Sequence, residues 1–210
     1  MADLFRRIAP VVDELGELFA KGGHQLALVG GSVRDVFLGR IGHDLDLTTD
    51  ARPERVLEIV RPWADAVWTV GIEFGTVGVR KGDWQLEITT YRSESYDPKS
   101  RKPEVLYGDT LEGDLERRDF TVNAMAVRVP GHEFVDPYGG LADLGAKVLR
   151  TPGPPERSFD DDPLRMLRAA RFASQLGFRV DPKVREAMAR MAERIEIVSG
   201  ERIRDELDKL

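Results

Sequence analysis

The chain has 210 residues, 41% hydrophobic and 32% charged, which allows one sizeable domain or one domain with a smaller appendage. It contains no cysteine, so disulfides, thiolate zinc sites and cysteine nucleophiles are excluded. A formal net charge of −6 argues against nucleic-acid binding by the whole surface but not by a local groove, and positive charge concentrates in "YRSESYDPKSRKP", "RRD" and "DDPLRMLRAARF".

The opening "MADLFRRIAPVVDELGELFAKGG" sets Leu4, Ile8, Val11, Val12, Leu15, Leu18 and Phe19 at helical spacing, which an amphipathic helix requires and a signal peptide does not. No run of apolar residues is long enough to span a membrane, so the expected partners include no membrane and the expected location is cytoplasmic. A short strand, Leu26 to Val29, then leads into "GGSVRDVFLG", a short helix with Ser32 expected at its N-cap. "HDLDLTT" alternates as a strand, and "RPERVLEIVRPWA" is helical with Pro53 in its first turn. "AVWTV", "FGTVGVR" and "WQLEITTY" follow as strands, giving β-α-β-α-β-β-β, a mixed α+β sheet rather than a doubly wound one. Residues 93–113 read as a long polar loop carrying Tyr96, Lys99, Arg101 and Lys102, and "FVDPYGGLADLGAKVLRTPG" as a bent β segment closing the domain. From Ser158 the pattern is helical, and the last helical pattern runs to the final residue without a C-cap, as in a truncated chain. The expected division is a head, 1–152, and a helical piece, 153–210.

Residues i and i+2 of a strand share a face, so Asp44 and Asp46 project together while Leu45 and Leu47 bury. Two carboxylates about 7 Å apart along a strand can share hard divalent cations. Mg²⁺ takes one or two carboxylates plus water and substrate phosphate oxygens, and such a pair can hold two ions that serve an attacking hydroxyl and a leaving pyrophosphate. The same D-x-D also suits a solvated strand edge. In "WQLEITTY", Gln85, Glu87 and Thr89 share one face; Glu87 either completes a metal cage or sits in water. "GGSVRD" lies between strand and helix, where Gly30 and Gly31 let backbone approach a phosphate and Arg34 adds a guanidinium fork. The order strand, Gly-Gly turn, helix, D-x-D strand places a phosphate binder and metal ligands at one end of one sheet.

"GGSVRD…HDLDLTT" resembles the opening motif of the class II nucleotidyltransferases, the family of tRNA CCA-adding enzymes and bacterial poly(A) polymerases. "DLERRDFTVNAMA" resembles its second motif and "FDDDPLRMLRAARF" its third, with Asp161 where many members carry glutamate; "TVGIEFGTVGV" and "FVDPYGGLADL" are also similar. The resemblance implies a polymerase-β-like nucleotidyltransferase head followed by an all-α neck. It implies Asp44 and Asp46 on metal with Glu87 a further catalytic carboxylate, and Gly30, Gly31, Arg34 and Arg118 on the triphosphate and sugar. Asp119 and Asn123 would fix the sugar edge or the local backbone. Asp162 and Arg165, expected three apart on one helix and joined by a salt bridge, would template the edge of C or A, framed by Arg168 and Arg171. A site of that kind rejects a mismatched ligand by roughly 10⁴-fold.

The implied activity is template-independent addition of C and A from CTP and ATP to the 3′ end of tRNA, with Mg²⁺ (two ions) as cofactor and pyrophosphate as product. Alternatives are a poly(A) polymerase, a C-only or A-only enzyme, and a nucleotide-binding fragment that lacks the helices gripping the tRNA elbow. "VGIEFGTVGV" lacks the arginine-rich strand usual in bacterial poly(A) polymerases, which favours tRNA. The 93–113 loop is the expected counterpart of the family's flexible element that helps A addition.

Overall fold

The computed structural model describes residues 2–40, 42–95, 104–108 and 110–210. Two compact units account for it: Met1–Leu115 with Met125–Asp136, and Glu116–Ala124 with Pro137–Leu210.

The first unit contains α1 (Ala2–Lys21), β1 (Leu26–Val29), α2 (Gly31–Phe37), β2 (Asp44–Thr49), α3 (Pro53–Val60), β3 (Ala66–Trp68), β4 (Thr76–Lys81), β5 (Trp84–Thr90), a β6–β7 hairpin (Arg92–Ser95 and Glu104–Tyr107), most of α4 (Leu111–Glu116), β8 (Ala126–Val129) and β9 (Phe134–Val135). Seven strands form one mixed sheet in the order β3-β4-β5-β2-β1-β8-β9. Only β2 and β5 run parallel; the other pairs are antiparallel. The mixed α+β reading of the sequence is therefore met, with the D-x-D strand β2 at the centre.

Alternation along β2 and β5 fixes which face is wet. Leu45, Leu47, Leu86 and Ile88 are almost wholly buried, with Val77 and Val79 of β4 on the same side. That apolar face shares its core with the inward stripes of α1 (Ile8, Val12, Leu15, Phe19) and α3 (Val56, Val60). At about 25 cal/mol per Å² of apolar surface, this burial is the main term holding the sheet. It also commits β2 to its register, because a one-residue slip would turn the leucines out and the aspartates in.

The second unit contains the RRD segment with a single helical turn at Thr121–Asn123, then α5 (Gly140–Ala146), β10 (Val148–Leu149), α6 (Pro155–Asp161), α7 (Leu164–Leu176), β11 (Arg179–Val180), α8 (Pro182–Met191) and α9 (Gly200–Leu207). Its apolar centre includes Phe120, Val122, Leu149, Phe159, Ala169, Phe172 and Val184. Phe120 meets Phe172 edge to face at 5.9 Å, and the Thr121 N–H donates to the Arg150 carbonyl at 2.7 Å. These contacts tie residues 116–124 to the helices of this unit. β10 and β11 pair in parallel.

Three local expectations are corrected. Residues 93–113 are not one long loop, because β6 and β7 pair within them and α4 begins at Leu111. "FVDPYGGLADLGAKVL" is not a continuous bent β segment: β9 is followed by helix α5, with Gly139 at φ 72 as its N-cap. Ser32 is not an N-cap either; Gly30 holds that place at φ 68, ψ −136, backbone that side chains other than hydrogen disfavour. Tyr96, Lys99, Arg101 and Lys102 of the expected flexible element lie outside the described residues. No helix among the described residues is long and apolar enough to cross a membrane.

Candidate active site

In the first unit the candidate residues gather on the polar face of β2 and at the turn before α2. Asp44 and Asp46 are exposed while their neighbours Leu45 and Leu47 are buried. The parallel register sets Asp46 opposite Glu87 and Asp44 opposite Gln85, so all three carboxylates share one face. Ser32, the second residue of α2, accepts a hydrogen bond from the Asp46 N–H at 2.9 Å. The hydroxyl expected to cap its own helix instead ties that helix to the D-x-D strand.

Gly30 turns the chain from β1 into α2, and Gly31 begins the helix with room for the Arg34 guanidinium, 3.6 Å from where a Cβ would stand. Arg34 is 8% exposed, and its guanidinium meets Asp35 through two bonds of 2.9 and 3.1 Å. A buried, bidentate arginine is pre-oriented rather than free to sample solvent.

Among the described residues no group of three or more Asp, Glu or His side chains is disposed to hold a metal ion. Two exposed carboxylates with a third across the strand pair are hard oxygen donors that leave most coordination positions to water and substrate. That donor set fits Mg²⁺ better than a closed all-protein cage.

The second unit brings the other two motifs together. Asp119 is 7% exposed and fully engaged: one oxygen accepts from the Phe120 N–H at 2.8 Å and from Asn123 Nδ2 at 2.9 Å. The other accepts Arg168 Nε and Nη2 at 2.8 and 2.6 Å. Burial alone would raise the Asp119 carboxyl, but the Arg168 charge, the Asn123 amide and the more distant Arg165 outweigh it and hold it below its ordinary value. Burial likewise opposes the Arg168 charge, and Asp119 with Glu206 raises its pKa above the usual one.

Asp119 is therefore an organiser of its own neighbourhood. Arg165 donates to Ser158 Oγ at 2.9 Å and to the Arg117 carbonyl at 2.5 Å. Together with Arg117, Arg157 and Asp161 it lines a shallow cleft beside the Pro152–Pro154 turn. Arg118, at the centre of the RRD triplet, is half-buried.

The expected Asp162–Arg165 salt bridge is absent, and the two residues do not share a helix. Asp162 is extended at φ −151, ψ 99, between the end of α6 and Pro163. Proline disfavours helical backbone in the residue before it, so the helix breaks there. The Asp162 carboxylate accepts from the Leu164 N–H at 3.2 Å and from Arg202 at 2.9 Å. Arg165, Arg168 and Arg171 follow one another along α7: Arg165 reaches Ser158 and the Arg117 carbonyl, Arg168 reaches Asp119, and both Arg168 and Arg171 approach Glu206. Arg171 is paired with Glu206 and donates to Gln175 at 3.0 Å.

Residues 26–150 match the family model described as "Poly A polymerase head domain", and residues 177–210 match one described as "Probable RNA and SrmB- binding site of polymerase A". The chain belongs to the poly A polymerase head-domain family. It is similar to the CCA-adding enzyme of Bacillus subtilis (strain 168), 42% identical over 211 residues, 100% of this chain and 51% of the relative. Among solved structures it resembles the Bacillus stearothermophilus CCA-adding enzyme in complex with CTP, with a TM-score of 0.82 and 36% identity over 93% of this chain and 46% of that one. It also resembles the Thermotoga maritima CCA-adding enzyme complexed with tRNA-CCA, with a TM-score of 0.80 and 30% identity over 97% of this chain and 47% of that one. The chain spans about half the length of the curated relatives it matches.

Within this family member, α9 carries two contributors that the motifs did not reveal. Glu206 is 5% exposed and lies between Arg168, at 3.8 Å, and Arg171; Arg202 holds Asp162. One short helix thus touches three of the four third-motif candidates. Its sequence "SGERIRDELDKL" alternates charges of both signs with few apolar residues, so nothing in its pattern marks one glutamate for burial.

Proposed function

We propose that the protein is a template-independent RNA nucleotidyltransferase that adds C and A from CTP and ATP to the 3′ end of tRNA. The observation that carries this reading is the joint one: a family head whose D-x-D strand presents two carboxylates beside a Gly-Gly turn, in a chain whose curated relatives include CCA-adding enzymes. The functional boundary proposed, head 1–152 and neck 153–210, follows the end of the matched head at residue 150.

Asp44 and Asp46 would hold Mg²⁺, with Glu87 beside them. Bound there, the ions supply charge neutralisation for a 3′-hydroxyl attacking the α-phosphate and for departing pyrophosphate. Gly30 and Gly31 let the backbone approach the triphosphate, and Arg34, fixed by Asp35, faces its negative charge. Arg118 and Asn123 bind the sugar edge, with Asp119 holding Asn123 and Arg168 in place. Asp162 accepts from a base amino group and Arg165 donates to a ring nitrogen or carbonyl, while Arg168 and Arg171 frame them. Because Asp162 already accepts from Arg202, base recognition there exchanges or shares that partner. Catalysis on this account is positioning and electrostatics rather than covalent chemistry.

The test offers CTP, ATP and Mg²⁺ with three RNAs: tRNA lacking CCA, tRNA ending in CC, and unstructured oligo(A). The proposal expects two C and then one A on the first and one A on the second. Long A tails on any RNA would replace it with poly(A) polymerase activity, and addition of C alone or A alone with a single-nucleotide enzyme. The chain spans about half the length of its curated relatives, and a second reading has it bind CTP and ATP, weakened by Arg165→Ala, with little transfer to tRNA.

A further inference from the structure

Beyond the carboxylates, the wet face of the sheet carries a feature that neither the motifs nor the nucleotide account uses. The register aligns Trp68, Gly78, Glu87 and Asp46 in one row across β3, β4, β5 and β2. Residues directly opposite one another share a face, so Trp68 stands on the side of the aspartates. Gly78 is buried, and a Cβ there would overlap the Nε1, Cε2 and Cδ1 atoms of Trp68. The indole therefore lies down on the glycine, one face against the sheet, and the residue as a whole stays half-exposed. Among the described residues its ring nitrogen has no hydrogen-bond partner and no other aromatic ring stacks on it. Strands are about 4.8 Å apart, which puts Gly78, and the indole on it, roughly 10 Å from the Asp46 strand.

Arg80 is the second observation. It lies on the same face, opposite Ala66 and Gln85, one step along from Gly78. It is exposed, and its guanidinium has no ion-pair or hydrogen-bond partner among the described residues. Trp68 and Arg80 are diagonal neighbours, whose Cα atoms stand about 7–8 Å apart in such a pair. An open aromatic face with a cation one diagonal away is the combination that binds single-stranded nucleic acid, the ring taking a base and the cation a phosphate.

We propose that Trp68 and Arg80 form a subsite for the single-stranded 3′ end of the acceptor RNA, the indole stacking on one base and Arg80 contacting the adjoining phosphate. The proposal rests on the nucleotidyltransferase reading of the carboxylate face. It gives that face a second substrate: the strand whose 3′-hydroxyl must reach Asp44 and Asp46 enters across β4 and β5. Stacking accepts any base, so the subsite positions the strand and leaves the choice of nucleotide to other residues. An aromatic laid over a strand glycine also stabilises a sheet without any ligand, and the test separates the two.

The ¹⁵N-labelled chain shows one indole N–H resonance for each of Trp63, Trp68 and Trp84, and Trp68→Phe identifies the one in question. The chain is titrated with the dinucleotide cytidylyl-cytidine in Mg²⁺, and separately with Mg²⁺-CTP. We expect the Trp68 indole to shift saturably with the dinucleotide while Trp63 and Trp84 stay in place. In Trp68→Ala the same binding, followed at the Gly78 and Glu87 amides, weakens about tenfold, within the range of one base stack. In Arg80→Gln the log–log salt slope falls by about 0.7, the share of one phosphate contact on a single strand. An unmoved Trp68 indole at millimolar dinucleotide overturns the proposal, as does a shift with CTP alone, which would give the ring to the incoming nucleotide. A merely structural ring changes melting temperature in Trp68→Ala but neither titration. The CTP titration, read at the Gly31 and Asp44 amides, judges the nucleotidyltransferase reading separately: its failure with dinucleotide binding intact sinks that reading and the 3′-end role with it, and leaves strand binding at Trp68 and Arg80 alone.

Discussion

Replacing Asp119 with alanine removes the acceptor of four hydrogen bonds at once and leaves Arg168 without its nearest counter-charge. Breaking a buried ion pair from one side costs ~3–5 kcal/mol. Arg168 keeps a third of its side chain in water, at 33% exposure, and retains Glu206 at 3.8 Å. Those two compensations bring the expected loss to ~2–3 kcal/mol. For a chain of this size the melting temperature falls by about 5–10 °C. Urea unfolding followed by tryptophan fluorescence and far-UV circular dichroism measures the loss, and a double-mutant cycle with Arg168→Ala isolates a coupling of roughly 2 kcal/mol. The pH dependence gives a second reading of the same bond. A carboxyl held below its unfolded pKa stabilises the fold above that value and loses the contribution as pH falls through the folded one. Wild type should therefore lose stability from about pH 4 downward, and Asp119→Asn should lose less over the same range. A loss under about 1 kcal/mol, with additive single mutants, would refute the view that Asp119 organises the second and third motifs.

Three further outcomes follow from the site. Gly30→Ala forces a side chain into φ 68, ψ −136, which costs about 1–3 kcal/mol and weakens CTP binding through the turn it distorts, measured by thermal melts and calorimetry. Ser32→Ala removes the bond to the Asp46 N–H, costing about 0.5–1.5 kcal/mol, and raises the Mg²⁺ concentration needed for half-maximal nucleotide transfer. Glu206→Gln leaves two guanidinium groups beside a neutral amide, so the preference for CTP and ATP over UTP and GTP falls at least tenfold, read from competition in single-nucleotide incorporation.

Much of the first unit was legible because period and chemistry agreed there. "LALV" is a short apolar run that reads as a buried strand, Asp44 to Leu47 of "HDLDLTT" carry their wet face in plain alternation, and between them Gly30 turns the chain into α2 at φ 68. Ser32 misled because a serine before a helical pattern fits a cap, yet Gly30 already supplies the turn and the hydroxyl serves another strand. Asp162 and Arg165 misled through counting: three residues apart means one face only while the helix continues, and Pro163 interrupts it. Glu206 and Arg202 were invisible for a different reason. Their partners lie about 35–40 residues away in the chain, and long-range ion pairs leave no local period to read. The docking of residues 116–124 with the helices is likewise a tertiary fact, carried by Phe120 against Phe172 and Thr121 against Asp143.

The most direct test compares wild type with Asp44→Ala and Asp46→Ala on tRNA lacking CCA, scoring single-nucleotide extension while calorimetry follows CTP binding in the same samples. The account predicts that extension falls by at least about 100-fold in both variants, as when electrostatic stabilisation of the transition state is removed, with CTP still bound. Extension within a few-fold of wild type in either variant would contradict it, because the two carboxylates on the wet face of β2 would then not be where nucleotide transfer takes place.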